Sequence, residues 1–245
     1  ATAGDAGRVS SAPHSTGITR LPTRESRPRP PVTDLTATDW SRALAPYRTP
    51  RLSRSLLEIV ITMGSLFALW GLAWFAFEAG VVWAALLLTL PAAFFLMRVF
   101  LIQHDCGHGS FFRDKAVNDW VGRVMSVFTL TPYDYWRRAH ALHHATSGNL
   151  DRRGIGAIDT LTVEEYRALS PLRRLGYRLY RHPVVMFGLG PAFNFFIIQR
   201  VPLGMMREGW RPWVSTLGNT VAILAGAALL VWLVGLGPLV VNLVT

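Results

Sequence analysis

Residues Leu56–Ile102 read LLEIVITMGSLFALWGLAWFAFEAGVVWAALLLTLPAAFFLMRVFLI. Two apolar runs of 22 residues, 56–77 and 81–102, flank the three residues Glu78, Ala79 and Gly80. About 20 residues at about 1.5 Å each cross a hydrocarbon core about 30 Å thick, so each run is long enough to span a bilayer. A three-residue link permits only a tight helical hairpin, whose two open ends emerge on the same side. Pro91 falls inside the second helix, where a kink is expected, and Arg98 lies close enough to its end to reach toward water.

The whole chain agrees with that hairpin. With 51% hydrophobic residues, 16% charged residues and a mean hydropathy of +0.28, its 245 residues are too apolar for an ordinary soluble domain. The net charge of +10 does not point to nucleic acid, because the arginines border apolar runs and form no basic patch interleaved with aromatics. Cys106 is the sole cysteine, so no intramolecular disulfide can form. Residues 1–33, rich in Pro, Ser, Thr and Arg, contain no apolar core of the kind a signal peptide carries. They predict a disordered tail ahead of a membrane domain over 34–245.

Orientation follows from the basic residues. Nine Lys or Arg precede Leu56, twelve lie between Gln103 and Pro183, and the 78–80 turn has none, so the positive-inside rule places both open ends in the cytoplasm. Downstream, Thr162 and Glu165 have capping-box spacing, and Ser170-Pro171 reads as an N-cap and N1 pair. Leu172, Leu175 and Leu179 then form one face against Arg173, Arg174, Arg178 and Arg181, the pattern of a helix lying on a membrane surface. The next apolar run, 184–198, is short and carries Gly188, Gly190 and Pro191, which favours an interfacial segment over about 171–200. A third span is expected at 213–234. A fourth begins at 239–245, where seven residues cover about a third of the core.

Against this background the histidines stand out. Five of the seven lie between His104 and His144, in QHDCGHG (103–109) and HALHHA (140–145). His104 and His108 are i and i+4 on the continuing end of the second helix; His140, His143 and His144 are i, i+3 and i+4, so each set shares one helical face. Five imidazoles at helical spacing suit Fe, Zn, Cu or Ni. A zinc hydrolase of the HExxH type would bring a glutamate between its histidines, and a ferritin-like site would bring Glu-x-x-His; neither pattern is present. A haem pair would place histidines at mid-membrane, whereas these sit at the helix mouth. The residues therefore point to a histidine-rich non-haem iron site at the cytoplasmic surface. His14, in the tail, and His182, before a proline, read as incidental.

HDCGH, TPYDYWRRAHALHHATSGNLDRRG and DTLTVEEY resemble the membrane fatty acid desaturases, most closely the acyl-lipid branch, from about Leu44 onward. The resemblance implies an all-α integral membrane fold, transmembrane hairpins with a cytoplasmic histidine-rich cap. It implies two iron ions held by histidine boxes, here His104 and His108 in the first and His140, His143 and His144 in the second. It also implies O2 activation, a cis double bond introduced into a lipid acyl chain, and an electron donor such as a ferredoxin or a b-type cytochrome. Two departures are visible: the family's third box, a further HxxHH, is absent from these 245 residues, and Ala157 stands where the family is expected to show Asp. The expectation is accordingly of a chain that continues for about 15 residues to complete the fourth helix, with the third box beyond, and that alone holds too little iron for activity. A membrane hydroxylase or ketolase with the same boxes, or a non-catalytic fragment, is the alternative reading. Asp105, Asn149 and Asp151 are candidates to orient the imidazoles, Tyr133, Tyr135 and Trp136 to shape an acyl tunnel, and Arg137, Arg138, Arg152 and Arg153 to dock an acidic electron donor.

Overall fold

The computed structural model describes residues 36–153 and 158–245; the expected disordered tail, 1–33, and Ala157 fall outside them. Among the described residues every regular element is helical. The chain divides into two units, 1–44 and 45–245. In the first, α1 (Ala37–Leu44) is opened by a reciprocal pair, with the Asp39 N–H donating to Thr36 Oγ1 (3.3 Å) and the Thr36 N–H donating to the Asp39 carboxylate (3.1 Å). Two amides that a first turn leaves without helical partners are thereby satisfied.

The second unit is built on the expected hairpin, α2 (Leu52–Glu78) and α3 (Val82–Gly107), turning through Gly80 at φ 76°, a left-handed conformation that glycine adopts without a Cβ clash. The helices have 27 and 26 residues, about 40 Å each, and so outrun their 22-residue apolar runs. That excess carries His104 beyond the apolar run of α3, which ends at Ile102. With α9 (Arg211–Val234) they are, among the described residues, the three helices long and apolar enough to cross a membrane. Thr62, Ala73, Ala85 and Ala92 are buried, small side chains that let spans approach closely, and Leu66, Val99, Ile102 and Cys106 continue the core to Met125 and Tyr133. Pro91 sits inside α3, whose helix runs unbroken through it. Arg98, its side chain 37% exposed, also has partners on the neighbouring span: its Nη2 donates to Glu58 Oε2 of α2 (2.6 Å) and its Nε to Thr62 Oγ1 (3.3 Å). A carboxylate at matching depth on the neighbouring span spares both charges the cost of isolated burial.

At the open end of the hairpin the chain folds back as α4 (Lys115–Phe128) and α5 (Tyr133–Thr146). Asp114 caps α4, its Oδ1 accepting from the Val117 N–H (2.9 Å). The corner between the helices, with Leu130 at φ 54°, is held by buried Gln103, which accepts from Thr129 Oγ1 (2.5 Å) and donates to the Thr131 carbonyl (3.3 Å). Gly122 allows α4 to meet α5, because a Cβ there would overlap the Tyr133 ring. Arg200 and Asn219 tie α9 to the same corner: Arg200 donates to the Leu130 carbonyl and to Asn219 Oδ1 (3.2 Å), and Asn219 Nδ2 donates to the Ser126 carbonyl (3.1 Å).

The short helix α6 (Val163–Ala168) opens with the capping box that Thr162 and Glu165 predict. Ser170 takes the N-cap position of α7 (Pro171–Tyr180) but makes no side-chain cap bond. The segment Val185–Arg200, which contains a π turn and α8 (Gly190–Phe196), meets α7 at 58°, the geometry of a broken span or a re-entrant loop. Finally α10 (Gly237–Val244) packs on α2 and α3. A Cβ on Gly237 would lie 2.5 Å from Glu78 Oε1, so the α9–α10 turn sits beside the α2–α3 turn and α9 begins at the histidine end.

Candidate metal centre

Two helix ends present the imidazoles. The last turn of α3 and its C-cap carry His104 and His108; one face of α5 carries His140 and His144. Their Nε2 atoms converge: 3.2 Å from His108 to His104, 3.2 Å from His108 to His140, 3.1 Å from His140 to His104 and 3.0 Å from His144 to His140. All four ligand atoms lie within 4.8 Å of one another.

Hydrogen bonding does not account for this arrangement. His140 Nε2 has three imidazole nitrogens within 3.2 Å, and a ring nitrogen carries either one proton or one lone pair, so it cannot satisfy three partners. A shared cation does account for it. Two nitrogens each about 2.1 Å from one ion and at right angles to each other are about 3 Å apart. The donor set therefore fits a metal ion.

The surroundings favour neutral, metal-ready rings. Burial, followed by the neighbouring imidazoles of His104, His144, His108 and His143, pushes His140 down to about 4. Burial and the same crowding also lower His108. Both keep their lone pairs at neutral pH. Asp105 Oδ1 lies 3.3 Å from His104 Nδ1, a contact that fixes the tautomer leaving Nε2 free. The Trp136 indole stacks on His140, centroids 4.7 Å apart and planes within 15°, and meets Phe100 edge-on at 5.4 Å. Gly107 makes room for it, since a Cβ there would lie 2.9 Å from the Trp136 ring.

The remaining candidates are placed as follows. His143 stands apart from the four, its ring 6.2 Å from that of His140 and 5.9 Å from that of His144. His182 Nδ1 accepts from the Val184 N–H, a local turn contact, and His14 lies outside the described residues. Asn149 caps a 3₁₀ turn by accepting from the Asp151 N–H (2.9 Å). Tyr133 is buried with its hydroxyl toward Asp119, the Tyr135 hydroxyl donates to the Leu203 carbonyl, and both line a cavity beside α4 and α9. Arg137 pairs with Asp119, Arg138 with Glu208 and Arg153 with Glu165; among the described residues Arg152 alone of that set forms no ion pair. The stacking role of Trp136 went unread, although it stands four residues before His140, the spacing of helical neighbours.

Apolar helices that carry a metal-competent imidazole cluster at one end define a membrane protein with a candidate metal centre. The chain belongs to the fatty acid desaturase family, whose model matches residues 81–245. It is 43% identical over 188 residues to a fatty acid desaturase of Bacillus subtilis, covering 77% of this chain and 53% of that protein. It is 28% identical over 163 residues to an sn-1 oleoyl-lipid 12-desaturase of Synechocystis, covering 64% and 44%. A 53-residue stretch is 47% identical to an sn-1 acyl-lipid omega-3 desaturase (ferredoxin) of the same organism, covering 22% and 15%. The chain thus spans about half the length of the curated relatives it matches along most of its sequence. No solved structure matches it.

Proposed function

We propose that the protein is an O2-dependent desaturase that introduces a cis double bond into a lipid acyl chain. The observation that carries this reading is the convergence of four Nε2 atoms on one point at the end of a membrane hairpin. Iron is the metal that fits the reaction class, and His104, His108, His140 and His144 would hold one ion. His143, set apart on the same helix, is the ligand left for a second. When bound, iron would supply reduction of O2 by two donor electrons and two from the substrate, so that R-CH2-CH2-R, O2, two electrons and two protons give R-CH=CH-R and two waters.

The chain's own residues set the conditions for that chemistry. Asp105 and Trp136 hold His104 and His140 in fixed ring planes, and burial keeps His140 unprotonated. The arginine distribution supports a cytoplasmic position for the cluster. The printed names of the Synechocystis relatives support a lipid-bound acyl substrate and ferredoxin as the donor class.

Expression of a full-length version of the protein in a host lacking the product, followed by mass spectrometry of its lipids, tests the reading. Loss of two hydrogens from an acyl chain is expected; gain of one oxygen would make the protein a hydroxylase. Iron should be recovered with the purified protein, and its replacement by zinc as the native metal would remove the redox chemistry altogether.

A further inference from the structure

A cavity of about 1030 Å³ opens between α4, α5 and α9, on the face of α5 next to the one that carries the histidines. Its chemistry is divided. Five cations line it, Lys115, Arg123, Arg137, Arg138 and Arg211. Their carboxylate partners number three: Asp119 takes Lys115 and Arg137, Asp134 takes Arg123, and Glu208 takes Arg138. Five against three leaves two positive charges. Arg211 has no ion-pair or hydrogen-bond partner among the described residues, and α9, which it begins, has no side-chain cap. Both features leave positive potential unanswered at the start of α9.

Along α9 the lining forms a trough. Val214, Gly218 and Ala222 line it at helical spacing from Arg211, with Val127 of α4, while the lining Ser215 and Asn219 of α9 are taken up by the Tyr135 N–H and by Ser126. A Cβ on Gly218 would meet nothing within 4 Å. From 211 to 222 the trough runs roughly 16 Å, about the depth of one leaflet of a 30 Å core.

We infer that this cavity binds an anionic glycerophospholipid, its phosphate among Arg211, Arg138 and Arg137 and one acyl chain along the small-residue face of α9. The site stands whether or not that lipid is the reaction's substrate. A guanidinium fork matches phosphate oxygens, and only an amphiphile answers both the cations and the apolar trough. An acidic protein surface would answer the arginines and leave the trough empty.

Native mass spectrometry of the full chain in neutral detergent, titrated with phosphatidylglycerol, diacylglycerol, sn-glycerol 3-phosphate and a polyglutamate peptide, tests this. One phosphatidylglycerol should be retained per chain, in clear preference to both diacylglycerol and glycerol phosphate. Arg211→Gln should weaken it about tenfold, the loss expected for one charge-assisted contact. Gly218→Leu should weaken phosphatidylglycerol and leave glycerol phosphate unchanged, and Arg173→Gln on α7 should change neither. Equal retention of diacylglycerol, equal affinity for glycerol phosphate, or indifference to Arg211→Gln would overturn the proposal. So would displacement by polyglutamate that is insensitive to Gly218→Leu, which would assign the cations to a protein partner. Should Gly218→Leu lose its helical circular dichroism, Arg211→Gln decides alone.

Discussion

His140 Nε2 is the atom on which the cluster turns, because it alone lies within 3.2 Å of three other imidazole nitrogens. Its ring plane is set by Trp136. Trp136→Ala should therefore lower metal affinity roughly tenfold, the ordinary cost of losing a group that orients a ligand, whereas Trp136→Phe should retain most of it. Competition with a chromogenic chelator measures the difference, and equal affinities would show that the indole does not position the ring. A second residue-scale expectation concerns Asp119. Burial opposes its charge, yet the Lys115 hydrogen bond and the Arg137 charge hold its carboxyl below the usual 3.8. A depressed folded value means that its stabilisation is complete above 3.8 and fades as pH falls through that lower value. Asp119→Asn should lower the melting temperature in micelles at pH 7 and remove this acid-side decline. A melting profile against pH that is the same for both proteins below 4 would contradict it. The i, i+4 pairs were legible in the sequence because the period of a helix is fixed. What spacing could not give was which side of the set would face the partner helix: from His140, His144 is rotated about 40° one way and His143 about 60° the other, and only the first turns toward α3.

At the scale of elements, α2, α3 and α9 were legible because 22 apolar residues in a row admit few other structures. The α4–α5 corner was not. It depends on individual fits, Gln103 between Thr129 and Thr131 and Gly122 beneath Tyr133, that leave no trace in hydropathy. Gly122→Ala should destabilise the protein by about 1–3 kcal/mol through overpacking. Gly64→Ala, where a Cβ meets nothing within 4 Å, should leave thermal unfolding unchanged or slightly raise its midpoint. Similar effects at both glycines would mean that the Tyr133 contact does not set the cost at the corner. Arg98 shows the same limit from the other side. Its position suggested a reach to water, and the fold adds a partner that spacing could not name, Glu58, forty residues earlier.

For the whole molecule the question is which end faces the cytoplasm, and the arginine counts make a definite forecast. With buried Cys106 replaced by serine, Gly80→Cys should react with an impermeant maleimide in intact cells and Arg207→Cys should not. Labelling of Arg207→Cys would mean that α7 and Val185–Arg200 together form one broken span. The sequence could weigh that segment only by length and glycine content. The 58° bend fits a broken span and a re-entrant loop equally, and the choice rests on charge.

The α2–α3 turn also sets the order in which the protein can be assembled. With three residues between the helices, neither can settle across the bilayer before the other, so the pair must enter as a unit. His104 and His108 then reach the surface before α5, with His140 and His144, has left the ribosome. The 36 residues from His108 to His144 take about 2–7 s to synthesise at roughly 5–20 residues per second. During that interval two imidazoles on one helix grip metal weakly and exchange it freely. Metal that stays must be acquired after α5 has closed over α3, from whatever pool the finished surface meets, so the timing of biogenesis helps decide which ion is kept.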